Sequence, residues 1–235
     1  MKKIIIENDF WDIFPEAKIG VVVCRGINNF IQDDKKYENM ILNAEKEAMN
    51  YLENVNFSDN EVIKVWRDAF KKFKTKKGAR ASIEALLKRI YNGNHLGTIN
   101  PLVDIYNSIS LSYALSCGGE DIDKFVGDIR LTKAVGNENF ITLWSNESAQ
   151  PYEGEIVYED DKGTICRCLN WRESVRTMLT ENTKNAILCM EFVDNERIKD
   201  LKNALEELGG RIKDNLGGTY KIEILDINNK STEIE

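Results

Sequence analysis

Apolar residues recur along this chain with two different periods, and the switch between them divides it. Runs of β-branched residues at Lys3 to Glu7 and Lys18 to Arg25 predict two strands, joined by an acidic, aromatic turn around Trp11, Phe14 and Pro15. Helical spacing then takes over. Tyr37, Ile41, Ala44, Ala48, Tyr51 and Val55 predict a helix over Asp34 to Val55, and Val62, Val65, Trp66, Ala69, Phe70 and Phe73 predict another, opened by Ser58-x-x-Glu61 in the form of a capping box. Ile83, Leu86, Leu87, Ile90 and Tyr91 predict a third over Ala81 to Tyr91, closed by Asn92-Gly93. Past Gly118-Gly119 short strands return at Asp128 to Lys133, Phe140 to Trp144, Glu155 to Glu159, Thr164 to Leu169 and Ala186 to Phe192. An amphipathic helix from Arg197 to Leu208, stopped by Gly209-Gly210, and a strand from Tyr220 to Ile227 complete the pattern. Because helix runs and strand runs are segregated, the reading is α+β with a mixed, largely antiparallel sheet and flanking helices.

One more helix is unusual. Asn100 suits an N-cap and Pro101 the first helical position. Leu102, Ile105, Tyr106, Ile109 and Tyr113 fall on one side, while Asn100, Asp104, Asn107 and Ser108 fall on the other. Between Asn100 and Gly119 the only charge is Asp104. A solvated face would carry several charges, so this one is expected to line a cavity.

With 235 residues, 42% hydrophobic and 30% charged, the chain is large enough for one sizeable core and has the make-up of a soluble protein. The plausible boundary separates an N-terminal strand and helix extension, 1–75, packed on a main body, 76–235. A net charge of −7 argues against a general, sequence-blind nucleic-acid binder, and no DNA partner is expected. A basic patch exists nonetheless. Lys71, Lys72, Lys74, Lys76, Lys77 and Arg80 lie within ten residues, with Phe70 and Phe73 nearby, and read either as a solvated helix end or as an RNA contact. Five cysteines without a C-x-x-C pair suggest neither disulfides nor zinc, and Cys166 and Cys168 are expected on the same face of a strand. Ile4-Ile5-Ile6 is followed at once by Glu7 and Asp9, so no signal peptide is read there. No apolar run approaches membrane-spanning length, and a cytoplasmic location is the expectation.

No glycine pair has the spacing of a P-loop or a dinucleotide fingerprint. His95 is the only histidine and reads as a surface-loop residue, which argues against triads and His-rich metal sites; no metal or cofactor is expected. The richer stretch is Asn170 to Thr183, where Trp171, Arg172, Glu173, Arg176 and Thr180 crowd between two apolar strands. Arginine forks suit a carboxylate or phosphate, Glu173 suits a water, and Trp171 suits stacking. With the Asn100 helix face and the turn Cys117-Gly118-Gly119-Glu120-Asp121, taken as flexible, these residues suggest a pocket.

Asn100-Pro101-Leu102-Val103-Asp104-Ile105-Tyr106-Asn107, Gly118-Gly119-Glu120-Asp121-Ile122-Asp123-Lys124, Gly127-Asp128-Ile129-Arg130 and Thr180-Glu181-Asn182-Thr183-Lys184-Asn185-Ala186-Ile187-Leu188 resemble, in order and spacing, the B3/B4 domain of the phenylalanyl-tRNA synthetase β subunit. The resemblance runs from about Arg80 to Phe192. It implies a layered α+β body, and a freestanding relative without the synthetase's charging machinery. In the synthetase this domain hydrolyses tyrosine wrongly attached to phenylalanine tRNA, so the resemblance implies an ester hydrolase with tRNA, or aminoacyl-tRNA, as partner. The family's His-containing turn falls on Cys117-Gly118-Gly119, which lacks the histidine, and its editing glutamate corresponds to Glu173 after a local insertion before Thr180.

Three functions follow as expectations. In the first, Glu173 is the catalytic residue that orients a water against a mischarged or non-standard aminoacyl ester. Asn100, Asp104, Asn107, Gly118, Gly119, Asp121, Trp171, Arg172, Arg176 and Thr180 then bind substrate, and Lys74, Lys76, Lys77 and Arg80 hold RNA. In the second the chain binds RNA or tRNA without turnover, and in the third it senses a free amino acid.

Overall fold

The structure is a computed structural model that describes residues 1–30, 34–143, 147–194 and 196–235. Its elements run β1 (Lys3–Ile6), α1 (Asn8–Ile13), β2 (Lys18–Arg25), α2 (Asp34–Ala48), α3 (Glu61–Phe70), α4 (Ser82–Tyr91), α5 (Pro101–Tyr113), β3 (Gly118–Asp121), β4 (Ile129–Lys133), β5 (Ile156–Asp160), β6 (Gly163–Arg167), β7 (Arg172–Glu173), β8 (Asn185–Phe192), α6 (Ile198–Leu216), β9 (Thr219–Leu225) and β10 (Ser231–Glu233). One sheet has the order β10-β1-β4-β5-β6-β7 and the other β3-β8-β2-β9. All pairings are antiparallel except β1 with β4, which makes the six-stranded sheet mixed. The fold is α+β, as the segregated patterns predict.

Alternation along β2 and β8 builds two cores from one sheet. Ile19, Val21, Val23 and Ile187 join Ile4, Ile6, Ile129, Leu131, Ile156, Tyr158 and Ile165 of the six-stranded sheet. Val22, Cys24, Ala186, Leu188, Met190 and Phe192 face the opposite way, onto Leu102, Ile105 and Ile109 of α5 and Leu201, Leu205 and Leu208 of α6. The first 75 residues are woven into this plan. β2 lies between β8 and β9, and β1 between β10 and β4, so they supply strands to both sheets and not only a layer packed outside.

Several local expectations are corrected. The segment around Trp11 is the short helix α1, because Phe10 and Trp11 turn inward together and the Trp11 indole N–H donates to the Ile6 carbonyl at 3.2 Å. α2 ends at Ala48 and gives way to a 3-10 turn, and Val55 is 90% exposed. The capping box does not form. Asn60 is the N-cap of α3, and its Oδ1 accepts from the Asn54 N–H at 2.9 Å. Gly118 to Asp121, expected as a flexible turn, is the edge strand β3. Of the strand expected from Phe140 to Trp144, only isolated bridges at Ile141 and Thr142 form, and Trp144 lies outside the described residues. Cys168 follows β6 with φ 47°, so strand alternation does not set its direction.

α6 runs straight through Gly209-Gly210. Gly209 is there for contact: a Cβ would sit 2.4 Å from Cε2 of Tyr220, so the missing side chain lets β9 close on the helix.

Candidate functional site

The core between the sheets is incompletely filled. A small, partly open cavity lies where the β3 edge of one sheet meets the β6–β7 end of the other. Ile4, Phe125, Ile129, Ile165, Leu169 and Ile187 form apolar walls, and three carboxylates, Glu120, Glu173 and Glu191, share the space with Tyr158, Asn170, Cys166 and Cys189.

Strand register brings these groups together. On β8, Ile187, Cys189 and Glu191 share the face turned toward the other sheet. Glu173 stands opposite Cys166 in the β6–β7 pairing, which sets both at the cavity. On β3, Gly118 and Glu120 face inward, and a Cβ on Gly118 would meet Oε1 of Glu173 at 3.3 Å. Gly119 and Asp121 face the helix layer: a Cβ on Gly119 would meet Leu179 at 2.9 Å, and Asp121 accepts from the Thr183 hydroxyl at 2.9 Å.

Glu191 is the best-held carboxylate. The Tyr158 hydroxyl donates to its Oε1 at 2.8 Å and the Asn170 amide to its Oε2 at 2.7 Å. Burial pushes Glu191 above the usual carboxylate range, against the pull of those two donors. Burial also raises Glu173, to about 7; a hydrogen bond from the Gly119 N–H opposes the shift and the charge of Glu191 adds to it. Glu120 is pushed well above its ordinary value by burial and then by the charge of Glu173, with the Thr177 hydroxyl and the charge of Arg176 pulling the other way; its buried Oε2 makes no hydrogen bond among the described residues. Burial holds the thiols of Cys166 and Cys189 well above the ordinary range, so neither is a ready nucleophile.

The sequence-predicted residues divide among three places. Glu173, Gly118 and Gly119 line the cavity. Asn100, Asp104, Asn107, Asp121 and Thr180 sit across the four-stranded sheet, where Asn29 and Thr183 link Asn100, Thr180 and Asp121 by hydrogen bonds. The Asn100 side chain caps α5 at the Val103 N–H and accepts from Asn29, whose amide also donates to the Thr180 carbonyl. The polar face of α5 is therefore buried against α2 and α6, with Arg211 donating to Ser108 at 2.9 Å, and its residues are absent from the cavity lining. Asp104, which accepts from the Ile99 N–H, is raised by burial to about 6. Asn107 is half-buried on the same helix.

Trp171, Arg172 and the basic run form the third place. Arg172 is exposed and stacks 5.1 Å over the Trp171 ring. Asn170 Oδ1 accepts from the Ser82 N–H at 3.1 Å, which ties this turn to the first residue of α4, directly after the basic loop. Lys74, Lys76, Lys77 and Arg80 are exposed there. Phe73, half-buried, packs on Phe14 and Phe70 in the core and is not offered for stacking. Arg176 turns away: it grips Asp160 with both nitrogens, at 2.9 and 2.7 Å.

Local sequence pattern does not mark Tyr158 and Glu191 as site residues, and Glu120 and Asn170 enter only as members of the two stretches read as a pocket. The available signal is the charged Glu191 inside the apolar strand Ala186 to Phe192, where only a hydrogen-bonded or functional carboxylate is tolerated.

A two-sheet α+β body with an acidic pocket between its sheets defines the class, and sequence comparison gives the family. The family model described as B3/4 domain matches residues 65–207, so the chain belongs to the B3/4 domain family. That span contains Glu120, Tyr158, Asn170, Glu173 and Glu191, whereas β1 and β2 lie before it. The chain is also similar to the phenylalanine–tRNA ligase beta subunit of Mycoplasmoides gallisepticum (strain R(low / passage 15 / clone 2)), at 33% identity over 111 residues. The match covers 47% of this chain and 14% of that relative. Among solved structures it resembles an N-terminal fragment of the phenylalanyl-tRNA synthetase beta subunit from Pyrococcus horikoshii, with TM-score 0.48, 15% identity, and coverage of 92% of this chain and 49% of that one. Among the described residues, no helix is long and apolar enough to cross a membrane.

Proposed function

We propose that this protein hydrolyses the ester of an aminoacyl-tRNA in trans, taking the amino-acid group into the cavity between the sheets. The observation that carries the reading is the place of Glu173, a carboxylate at the cavity wall with Oε1 against Gly118 of β3; burial, which raises its titration to about 7, suits it to the work of a general base. In this reaction the oxygen of a water bonds to the ester carbonyl carbon while Glu173 takes its proton. The carbon–oxygen bond to the ribose then breaks, and the proton is returned to the departing ribose oxygen. The ester is intrinsically labile, so holding water and carbonyl in register supplies much of the rate. Gly118 and Gly119 give the backbone close access to the Glu173 carboxylate, and the hydrogen bonds that link Asn100, Thr180 and Asp121 position β3 from behind, with Asp104 and Asn107 on the helix that Asn100 caps. Arg172, Trp171, Lys74, Lys76, Lys77 and Arg80 guide the RNA end toward the mouth. The cytoplasm is the place where such a substrate is met.

A second reading, RNA binding without turnover, is favoured by the exposed Arg172–Trp171 stack beside the basic loop. Deacylation of a panel of correct and mischarged aminoacyl-tRNAs by the parent and by Glu173→Gln separates the two. Turnover of one class, lost in the variant, supports the hydrolase. No turnover, with tRNA still bound in a salt-dependent way, supports the binding module.

A further inference from the structure

The cavity contains more carboxyl groups than ester hydrolysis needs. Glu120, Glu173 and Glu191 all line it, and among the described residues no Lys, Arg or His does. The charge of Arg176 reaches Glu120, but its guanidinium lies outside the lining and is paired with Asp160. The other titratable groups facing the carboxylates, Tyr158, Cys166 and Cys189, are neutral when protonated and bring no compensating charge. Burial favours the protonated form of each of these carboxyls, and once a cation draws the protons off they only accept hydrogen bonds. Tyr158 and Asn170 supply one donor each to Glu191, the Gly119 N–H supplies one to Glu173 and the Thr177 hydroxyl faces Glu120, while Oε2 of Glu120 makes no hydrogen bond among the described residues. The space is thus rich in acceptors and short of donors.

We propose that the group this cavity receives is a cation, the primary ammonium on the side chain of a lysine-like amino acid. The proposal rests on the reading of the cavity as the amino-acid pocket and names its substrate class. An ammonium carries three donors and no acceptor, and the cavity wall offers carboxyl oxygens with spare lone pairs, Oε2 of Glu120 first among them. Its methylene stem suits the walls made by Ile4, Phe125, Ile129, Ile165, Leu169 and Ile187, because long cationic side chains bury the stem and direct the charge to polar partners. A phenol brings one donor and one acceptor, and an alkyl or phenyl group brings neither. A bare metal ion is a poorer match: among the described residues no cluster of three or more His, Cys, Asp or Glu side chains is placed to hold one.

The test is calorimetry on the full chain at about pH 8, with four probes: L-lysinamide, L-norleucinamide, L-tyrosinamide and 1,4-diaminobutane. Lysinamide and norleucinamide share the α-amino group and the stem length and differ only at the side-chain end. Lysinamide is expected to bind at least roughly tenfold tighter than norleucinamide, as hydrogen bonds to charged groups imply. Glu120→Gln is expected to abolish most of that ratio, since it removes the charge while keeping a carbonyl oxygen for the Thr177 hydroxyl. The ratio measured on the parent decides even if the variant fails to fold. Equal or tighter binding of norleucinamide or tyrosinamide overturns the cation and leaves the pocket reading standing. Binding of the diamine as tightly as lysinamide overturns the amino-acid assignment in favour of a free diamine. If none of the four binds, both the cation and the pocket reading fall.

Discussion

Asn170 donates to Oε2 of Glu191 at 2.7 Å inside the cavity while its own carbonyl oxygen accepts from the Ser82 N–H at 3.1 Å. One amide therefore couples an acidic wall of the pocket to the start of α4 and the basic loop before it. Asn170→Ala leaves a buried carboxylate oxygen and a helix N–H without partners, for an expected loss of about 2–4 kcal/mol in urea unfolding. Asn170→Asp sets a second carboxylate against Glu191 and is expected to cost more at about pH 8 than at about pH 5. A loss that does not change with pH would show that Glu191 is not the partner that matters.

Glu173 makes stability depend on pH in a stated direction. Its carboxyl is raised to about 7 in the fold from an ordinary 4.5, so the folded chain holds that proton more tightly than the unfolded one. The resulting stabilisation is complete below about pH 4.5 and is lost as pH rises through about 7, a change of roughly 3 kcal/mol. Glu173→Gln, which keeps the neutral shape, is expected to remove this part of the slope and to exceed the parent in stability at about pH 8. Denaturant midpoints at three pH values check it, and parallel curves for the two proteins would refute it. If Glu173 is the base, the parent's deacylation rate rises through the same interval.

Arg167 and Glu155 form an almost completely buried ion pair, their side chains 2% and 0% exposed, closed by a guanidinium bond to the Ala149 carbonyl. Removing one partner strands a charge in the interior. Arg167→Met is expected to cost about 3–5 kcal/mol, and the double variant Arg167→Met with Glu155→Leu to recover most of it. A double-mutant cycle by chemical denaturation reads the coupling.

Two neighbouring glycines in α6 should respond with opposite signs. At Gly209 a Cβ meets the Tyr220 ring at 2.4 Å, so Gly209→Ala is expected to destabilise by about 1–3 kcal/mol. At Gly210 a Cβ meets nothing within 4 Å, so Gly210→Ala is expected to stabilise by up to about 1 kcal/mol through helix propensity. Melting curves of the two variants side by side suffice.

If the basic loop tracks RNA, its contribution is electrostatic. Reversing Lys76 and Lys77 to Glu is expected to weaken tRNA binding and to flatten its dependence on salt by about 0.7 in log–log slope for each single-strand phosphate no longer neutralised. An unchanged slope would take the loop out of the interface.

Elements with strong local signals are legible in the residues themselves. β2 and β8 read as β-branched runs, and Asn100-Pro101 announces a helix start that the Asn100 side chain does cap. Local reading fails where a distant neighbour overrides a local preference. Gly209-Gly210 reads as a stop until Tyr220 is seen lying against it, and Gly118-Gly119 reads as a turn until β8 is there to pair with it. The same holds at the site. Glu173 stands out because it sits among other polar residues, whereas Glu191 and Tyr158 lie in strands whose pattern says core.

Residue order along the chain thus carries what depends on near neighbours: the helix periods, the N-cap, the α+β class, and the four stretches that mark the B3/4 family. The polar face of the Asn100 helix shows the limit of such information. Its composition requires shelter from solvent, and that requirement is met equally by a cavity or by packing against α2 and α6. Which surface supplies the shelter depends on strand register and on the pairing of β3 with β8, interactions between segments about 70 residues apart. Those same pairings turn Glu120, Glu173 and Glu191 into one space, because alternation in a strand sends a side chain to one sheet face or the other and only the assembled sheets give each face its neighbours.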